Sequence, residues 1–216
     1  MAISKSLIYE ENCTKCARLA EFLKNSKSKF PSYYCKPVPA FGDKNARLLI
    51  VGLAPGLHGA NATGRPFTGD YAGVLLYETL HKFNYSSHAV SKSRNDSLKL
   101  KNCRITNAVK CVPPANKPTI DEIKTCNNYL KNELQGLKNG NVILALGKIA
   151  HDAVLRAFNL KLSQYPFGHA NLYKVDNSIH LLDSYHCSRY NTQTKRLTQK
   201  QFEAIFRKAK SILDND

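Results

Sequence analysis

Apolar residues concentrate in four short runs along this chain, at 46–52, 103–109, 142–146 and 179–184. Runs this short, flanked by polar and glycine-bearing segments, read as strands buried on both faces, as in parallel sheets. Between and around them the apolar positions change to a helical spacing, at 17–24, 71–83, 120–137, 148–158 and 198–212. The third of these is announced by "PTIDEIKTC", in which Thr119 and Glu122 have the spacing of a capping box. Strand and helix in alternation predict an α/β protein: a three-layer αβα fold with a central, mainly parallel four-stranded sheet and right-handed crossovers. In such sheets ligands sit beyond the carboxyl ends of the strands, so the loops after Val51, Thr106 and Asp183 are expected to face one site. The lysine- and serine-rich stretch 86–101 reads as a mobile surface loop. No linker divides the 216 residues, and a single domain over 1–216 is expected.

Charge adds a partner to that outline. Lysine and arginine number 32 against 16 acidic residues, a formal charge of +16, which favours a polyanion through phosphate neutralisation and counterion release. Nucleic acid leads. The first residues lack the apolar core of a signal peptide, and no apolar run approaches the ~20 residues of a membrane span, so a soluble cytoplasmic protein is expected.

The stretch "LLIVGLAPGLHGANATGRPFTGDYAGVLL" runs the first strand through a glycine-rich loop into a helix. A phosphate loop would need lysine and a hydroxyl at its end, and a dinucleotide loop would need G-x-G-x-x-G directly after the strand. Neither pattern is present. Pro55, His58, Asn61, Arg65, Phe67 and Asp70 instead supply polar groups and one aromatic ring, a mixture suited to a flat heterocycle.

Seven cysteines make an odd set for a disulfide framework and, in a reducing compartment, remain available to metal. Cys13 and Cys16 form a C-x-x-C pair, while Cys111 and Cys126 form a second, wider pair. Four thiolates without histidine fit tetrahedral zinc or a [4Fe–4S] cube. The wide second spacing favours the cube, whose four iron corners are separated. Cys103 reads as strand core, with Cys35 and Cys187 left over.

Together these pieces resemble the iron–sulfur uracil-DNA glycosylases, and family 5 (the B-type enzymes) more than family 4. The resemblance rests on "PVPAFGDKNARLLIVGLAPGLHGANATGRPFTGD", "ITNAVKCVPPANKPT" and "SYHCSRYNTQTKRLT", in that order, and with the cysteines it extends from Cys13 to Gln201. It implies a monomeric prokaryotic enzyme of base excision repair, located in the cytosol or nucleoid. Such an enzyme flips uracil, and other deaminated bases such as hypoxanthine, out of DNA and hydrolyses the N-glycosidic bond. By resemblance, Gly52, Leu53, Ala54, Pro55, Gly56, Phe67 and Asn107 bind the base, with Phe67 stacking on it and Asn107 reading its Watson–Crick edge. Asp70, Asn107 and His186 are the implied catalytic residues: His186 donates to O2, and Asp70 helps to orient water because Leu53 stands where family 4 has a carboxylate. Arg65, Ser188, Arg189, Tyr190 and Asn191 are the implied DNA contacts, and Cys13, Cys16, Cys111 and Cys126 the implied ligands of a [4Fe–4S] cluster. The chain departs from the family at Cys187, where proline is usual, and at Ala62, where arginine is common. Two other readings remain open on the sequence: an iron–sulfur DNA-binding protein without catalysis, and a small electron-transfer protein.

Overall fold

The computed structural model describes residues 9–138, 140–176 and 179–215. Its helices are α1 (Ala17–Lys29), α2 (Ala60–Thr63), α3 (Tyr71–Lys82), α4 (Ile120–Leu134), α5 (Lys148–Ala157), α6 (Arg189–Gln193) and α7 (Gln199–Asn215). Its strands are β1 (Phe41–Gly42), β2 (Leu48–Gly52), β3 (Cys103–Asn107), β4 (Val142–Leu146), β5 (Leu172–Asp176) and β6 (Ile179–Ser184), in the order β1-β3-β2-β4-β6-β5.

The four apolar runs become the parallel centre of the sheet, β3-β2-β4-β6. The four-stranded expectation needs correcting at both edges, where β1 and β5 add antiparallel strands to give six. Neither carries the signal of a buried strand: β1 has only two residues, and β5 buries one side chain in five.

Side-chain alternation divides the core into two layers. Leu48 and Ile50 of β2 face one way with Leu144 of β4, packing against Leu76 and Leu80 of α3 and Phe202 and Phe206 of α7. Leu49 and Val51 face the other way with Ile143 and Ala145, against Leu130 and Leu134 of α4 and Val154 of α5. Helices therefore cover both faces, which is why the central strands are apolar without alternation. The capping box of α4 forms as expected: Glu122 N–H donates to Thr119 Oγ1 at 3.2 Å, and Thr119 N–H donates to Glu122 Oε2 at 2.7 Å.

From β2 the chain crosses to β3 on one side and then returns past β2 to β4 on the other. The carboxyl end of β2 is thus the switch point where a crevice opens. The segment 86–101 is not the loose loop expected. Its Leu98 and Leu100 are buried, and Asp96 accepts the backbone N–H groups of Lys92, Ser93 and Leu98. Among the described residues no helix is long and apolar enough to cross a membrane.

Candidate active site

At that crevice Gly52 and Asn107, the last residues of β2 and β3, lie side by side in register. A β-carbon on Gly52 would stand 2.5 Å from Asn107 Oδ1 and 2.7 Å from the Phe67 ring, so only glycine lets the three meet at the pocket floor. The two strands continue as a zipped pair, Ala108 N–H donating to Gly52 O at 2.9 Å and Val109 N–H to Leu53 O at 3.0 Å. Asn107 is buried, yet its Oδ1 has no hydrogen-bond partner among the described residues. A buried carbonyl left unpaired is costly, on the order of 1–3 kcal/mol, and is expected where a ligand supplies the missing donor.

Around this floor opens a cavity of about 940 Å³, including its mouth, lined by Leu53, Ala54, Gly56, Phe67, Asp70, Asn107, His186, Ser188 and Arg189. Pro55 is buried behind the lining instead of in it. Phe67 is held at φ +53°, a left-handed conformation unusual for a bulky residue, and its ring stacks on His186 with centroids 5.9 Å apart and planes 28° from parallel.

His186 follows β6, and Asn191 Nδ2 donates to its carbonyl at 2.8 Å. Its ring reaches the pocket while protein packs densely around it, and that desolvation pushes the imidazole down to about 4. At neutral pH His186 is therefore uncharged and keeps one N–H to donate. Asp70 caps α3, its Oδ1 accepting from Gly73 N–H at 3.0 Å. Its Oδ2 turns towards Gly59 and Gly56 on the pocket side. Burial raises the Asp70 carboxyl above its usual range, an effect opposed by the backbone N–H groups of Gly73 and Ala72. One oxygen caps and the other faces the pocket, so the two roles open to Asp70 are compatible. Cys187 is buried with its Sγ 3.4 Å from Ala72 O, filling the space beside the first turn of α3.

Several expected contacts belong to the scaffold instead. Arg65 is buried, with Nη1 on Asp96 Oδ1 at 2.6 Å and its guanidinium 4.2 Å over the Phe41 ring, so it is not free to meet a phosphate. His58 pairs with the Tyr33 hydroxyl at 2.9 Å, and Asn61 donates to Leu57 O at 3.4 Å. Ser188 Oγ caps α6, accepting Asn191 N–H at 3.4 Å. Residues 189–193 form that short helix; it leaves Tyr190 70% exposed and lays the Arg189 guanidinium 5.1 Å over the Tyr71 ring.

The sequence reading missed Asn116, Tyr71, Ala60 and Ala72, which also line the pocket. Asn116 follows Ala115 in a left-handed pair after Pro113 and Pro114, and "PPAN" is a turn signal that could have flagged it.

A second cavity, about 410 Å³, lies against α1 and α4 and is lined by all four candidate ligands, Cys13, Cys16, Cys111 and Cys126, with apolar Leu19, Pro37 and Val109. Lys110 N–H donates to Cys126 Sγ at 3.2 Å, and the Tyr129 hydroxyl lies 3.4 Å from Cys13 Sγ and 2.6 Å from Glu10 Oε2. Burial, reinforced by the neighbouring sulfurs, pushes the Cys16 thiol up to about 11 and raises Cys111 as well. Among the described residues no group of three or more His, Cys, Asp or Glu is arranged to hold a single metal ion. The four thiols share one apolar chamber, and three residues of chain join Asn107 to Cys111.

With that geometry in place, comparison with known proteins is specific. The model of the uracil DNA glycosylase superfamily matches residues 39–210. A type-5 uracil-DNA glycosylase of Thermus thermophilus is 45% identical over 205 residues, covering 93% of this chain and 93% of that one. One from Pyrobaculum aerophilum is 37% identical, covering 92% and 88%. A type-4 uracil-DNA glycosylase of Archaeoglobus fulgidus is 29% identical over 78% of this chain and 79% of that one. In fold, the crystal structure of wild-type SMUG2 from Pedobacter heparinus superposes with a TM-score of 0.52 at 15% identity, covering 80% of this chain and 77% of that chain.

Proposed function

The chain belongs to the uracil DNA glycosylase superfamily, and from that premise we propose that it excises uracil from DNA by hydrolysing the N-glycosidic bond, with the residues of the Gly52–Asn107 pocket in the roles given below. The observation that carries the assignment of roles is the unpaired Oδ1 of Asn107 at the pocket floor. Uracil presents an N3–H donor beside its O4 acceptor, which match the Oδ1 acceptor and Nδ2 donor of one asparagine amide. Cytosine presents an acceptor and an amino donor in those places and leaves both amide groups opposed, so the same side chain rejects the normal base.

Bond cleavage leaves positive charge on the sugar and negative charge on the departing base. A neutral His186 donating its N–H towards O2 stabilises that anion without losing the bond to a competing charge. Water attacks C1′ as the N1–C1′ bond breaks, and the pocket-side oxygen of Asp70 orients it and tolerates the developing cation. Phe67 stacks on the flipped base, while Arg189 and Tyr190, on the exposed helix α6, meet the duplex around the vacated position.

The cysteine chamber fits a [4Fe–4S] cluster better than a single ion: four sulfurs around one apolar cavity suit a group with four separated corners. Cys13, Cys16, Cys111 and Cys126 would hold it, with the Lys110 amide bonding one sulfur. When bound, the cluster would serve as a structural anchor, tying α1, α4 and the segment that carries Asn107. Protein purified without oxygen is expected to contain about four irons per chain and to absorb broadly in the visible. Stoichiometric zinc in place of iron would refute the cluster.

The deciding experiment for the site is Asn107→Ala on a uracil-containing duplex. Single-turnover release is expected to fall on the order of 1000-fold while duplex affinity changes by less than about threefold. Equal losses in both would make Asn107 structural.

A further inference from the structure

Beside the base pocket runs a second groove, of about 760 Å³ with its mouth, on the other side of the wall made by Phe67, Asp70, Tyr71 and Arg189. Its far wall is Val74 of α3, one turn beyond Tyr71, facing Ala89 and Val90 of the 86–101 segment. Val74 is 54% exposed, Val90 56% and Tyr71 40%, which makes this an apolar surface on a strongly basic protein. The wall carrying Val90 is fixed from within. Arg65 Nη1 donates to Ser91 Oγ at 3.0 Å while ion-paired to Asp96, and Ser91 Oγ and Thr68 Oγ1 lie 2.7 Å apart. The buried arginine thus holds open a groove contiguous with the pocket.

We propose that this groove binds the nucleobase adjacent to the excised one on the same strand, so that the protein grips a dinucleotide unit. The inference rests on the reading of the pocket as a uracil site. Its occupant follows from three features. The groove shares four residues with the pocket, so whatever fills it is linked to the flipped nucleotide at short range, as the next nucleotide is and a base of the opposite strand is not. Its most exposed side chains, Tyr71, Val74 and Val90, are aromatic or aliphatic, while the Ser91 hydroxyl is taken up by Arg65 and Thr68, which suits stacking that accepts any base. At the shared wall Arg189, stacked on Tyr71, places positive charge where the phosphate between the two nucleotides would pass.

The test uses single-stranded oligonucleotides carrying a non-cleavable uracil nucleotide, with the neighbouring base on the 5′ side, on the 3′ side or on neither replaced by an abasic spacer. Binding is read by fluorescence anisotropy. Removing the neighbour on one side only is expected to weaken binding by the native protein about tenfold, within the range for loss of one stacked base. In Val74→Ser/Val90→Ser that penalty is expected to fall below about twofold, with the melting temperature nearly unchanged. Val90→Ser alone, in a segment outside the helices, serves if the double variant does not fold. Equal binding of all three oligonucleotides by the native protein, or an undiminished spacer penalty in the variants, overturns the proposal. A penalty that appears only when the base opposite uracil is removed from a duplex also overturns it. Because the readout is binding, absence of uracil release in a separate assay would count against the pocket reading while leaving the groove judged on its own result.

Discussion

His186 and His151 are both enclosed by protein around β6, yet their surroundings shift their pKa values in opposite directions. His186 has no hydrogen bond to either ring nitrogen among the described residues, and desolvation alone acts on it, pushing it down to about 4. His151, on α5, is fully buried, with Nδ1 2.7 Å from Asp183 Oδ1 and Nε2 2.8 Å from the Tyr165 carbonyl. A carbonyl can only accept, so Nε2 carries a proton, and the pair with Asp183 retains a second one between Nδ1 and the carboxylate. Burial works against the charge on His151, but Asp183, the Tyr165 carbonyl and the neighbouring Asp152 outweigh it and raise its pKa. The rings of Phe167 and Tyr173 close the remaining sides edge-on. Asp183 is itself raised by desolvation; its Oδ2 makes no hydrogen bond of good geometry, although the Gly168 amide is near enough to favour the ionised form. Burial by itself lowers a histidine's pKa, and acceptors buried beside it can reverse that shift. The histidine without them can donate to a substrate, whereas the histidine with them anchors a strand.

The largest effect is expected from removing the uncharged ring. His186→Ala should lower single-turnover release on the order of 1000-fold with duplex affinity nearly unchanged, as for loss of one donor to a developing anion. An unaltered rate would exclude His186 as the O2 donor.

Next in size is Asp70→Ser. Serine still caps α3, so the melting temperature should hold, but the pocket-side charge is lost and release should slow on the order of 100-fold. Retention of the native rate would leave Asp70 as a cap alone. Because burial raises the Asp70 carboxyl, the native rate should also fall as pH drops through that raised value, and the serine variant should lack this limb.

The smallest effect probes the charged histidine. Asp183→Asn keeps an acceptor for Nδ1 but removes the charge, and should cost about 2 kcal/mol near pH 6. The raised pKa of His151 contributes stability that is fully present below ~6.5 and is lost as pH rises through the folded value. The gap in melting temperature between native protein and variant should therefore narrow as pH rises. His186 tilts the profile the other way: its depressed pKa gives stability present above ~6.5 and lost as pH falls towards about 4. A gap that widens with rising pH would mean that His151 is neutral in the native protein.

Legibility in the sequence followed the strength of the local signal. The strands at 142–146 and 179–184 appear with the bounds read from the sequence; the first is apolar throughout because it is buried on both faces, and in the second Leu181 and Leu182 carry the apolar signal although His180, Asp183 and Ser184 are polar. The edge strand Leu172–Asp176 was illegible because one exposed face and one sheet edge demand little of its composition. Asn107, Phe67, Asp70 and His186, singled out through motif order, line one pocket in the structure. Arg65 was misassigned because a sequence does not reveal whether an arginine has a buried acid to meet; Asp96, thirty-one residues away, claims it.

What the sequence determined by itself was the order of the main elements and the family. These depend on hydrophobic periodicity and on residue identities at short range, which the chain carries whether folded or not. Only the tertiary structure decided that one oxygen of Asp70 caps a helix while the other faces the pocket, that Asn107 keeps a carbonyl unpaired among the described residues, and that of two histidines near one strand one has its pKa pushed down and the other raised. Each of these depends on which groups from distant parts of the chain are buried together without water. Desolvation and the nearest partner, more than the residue type, then set charge and reactivity.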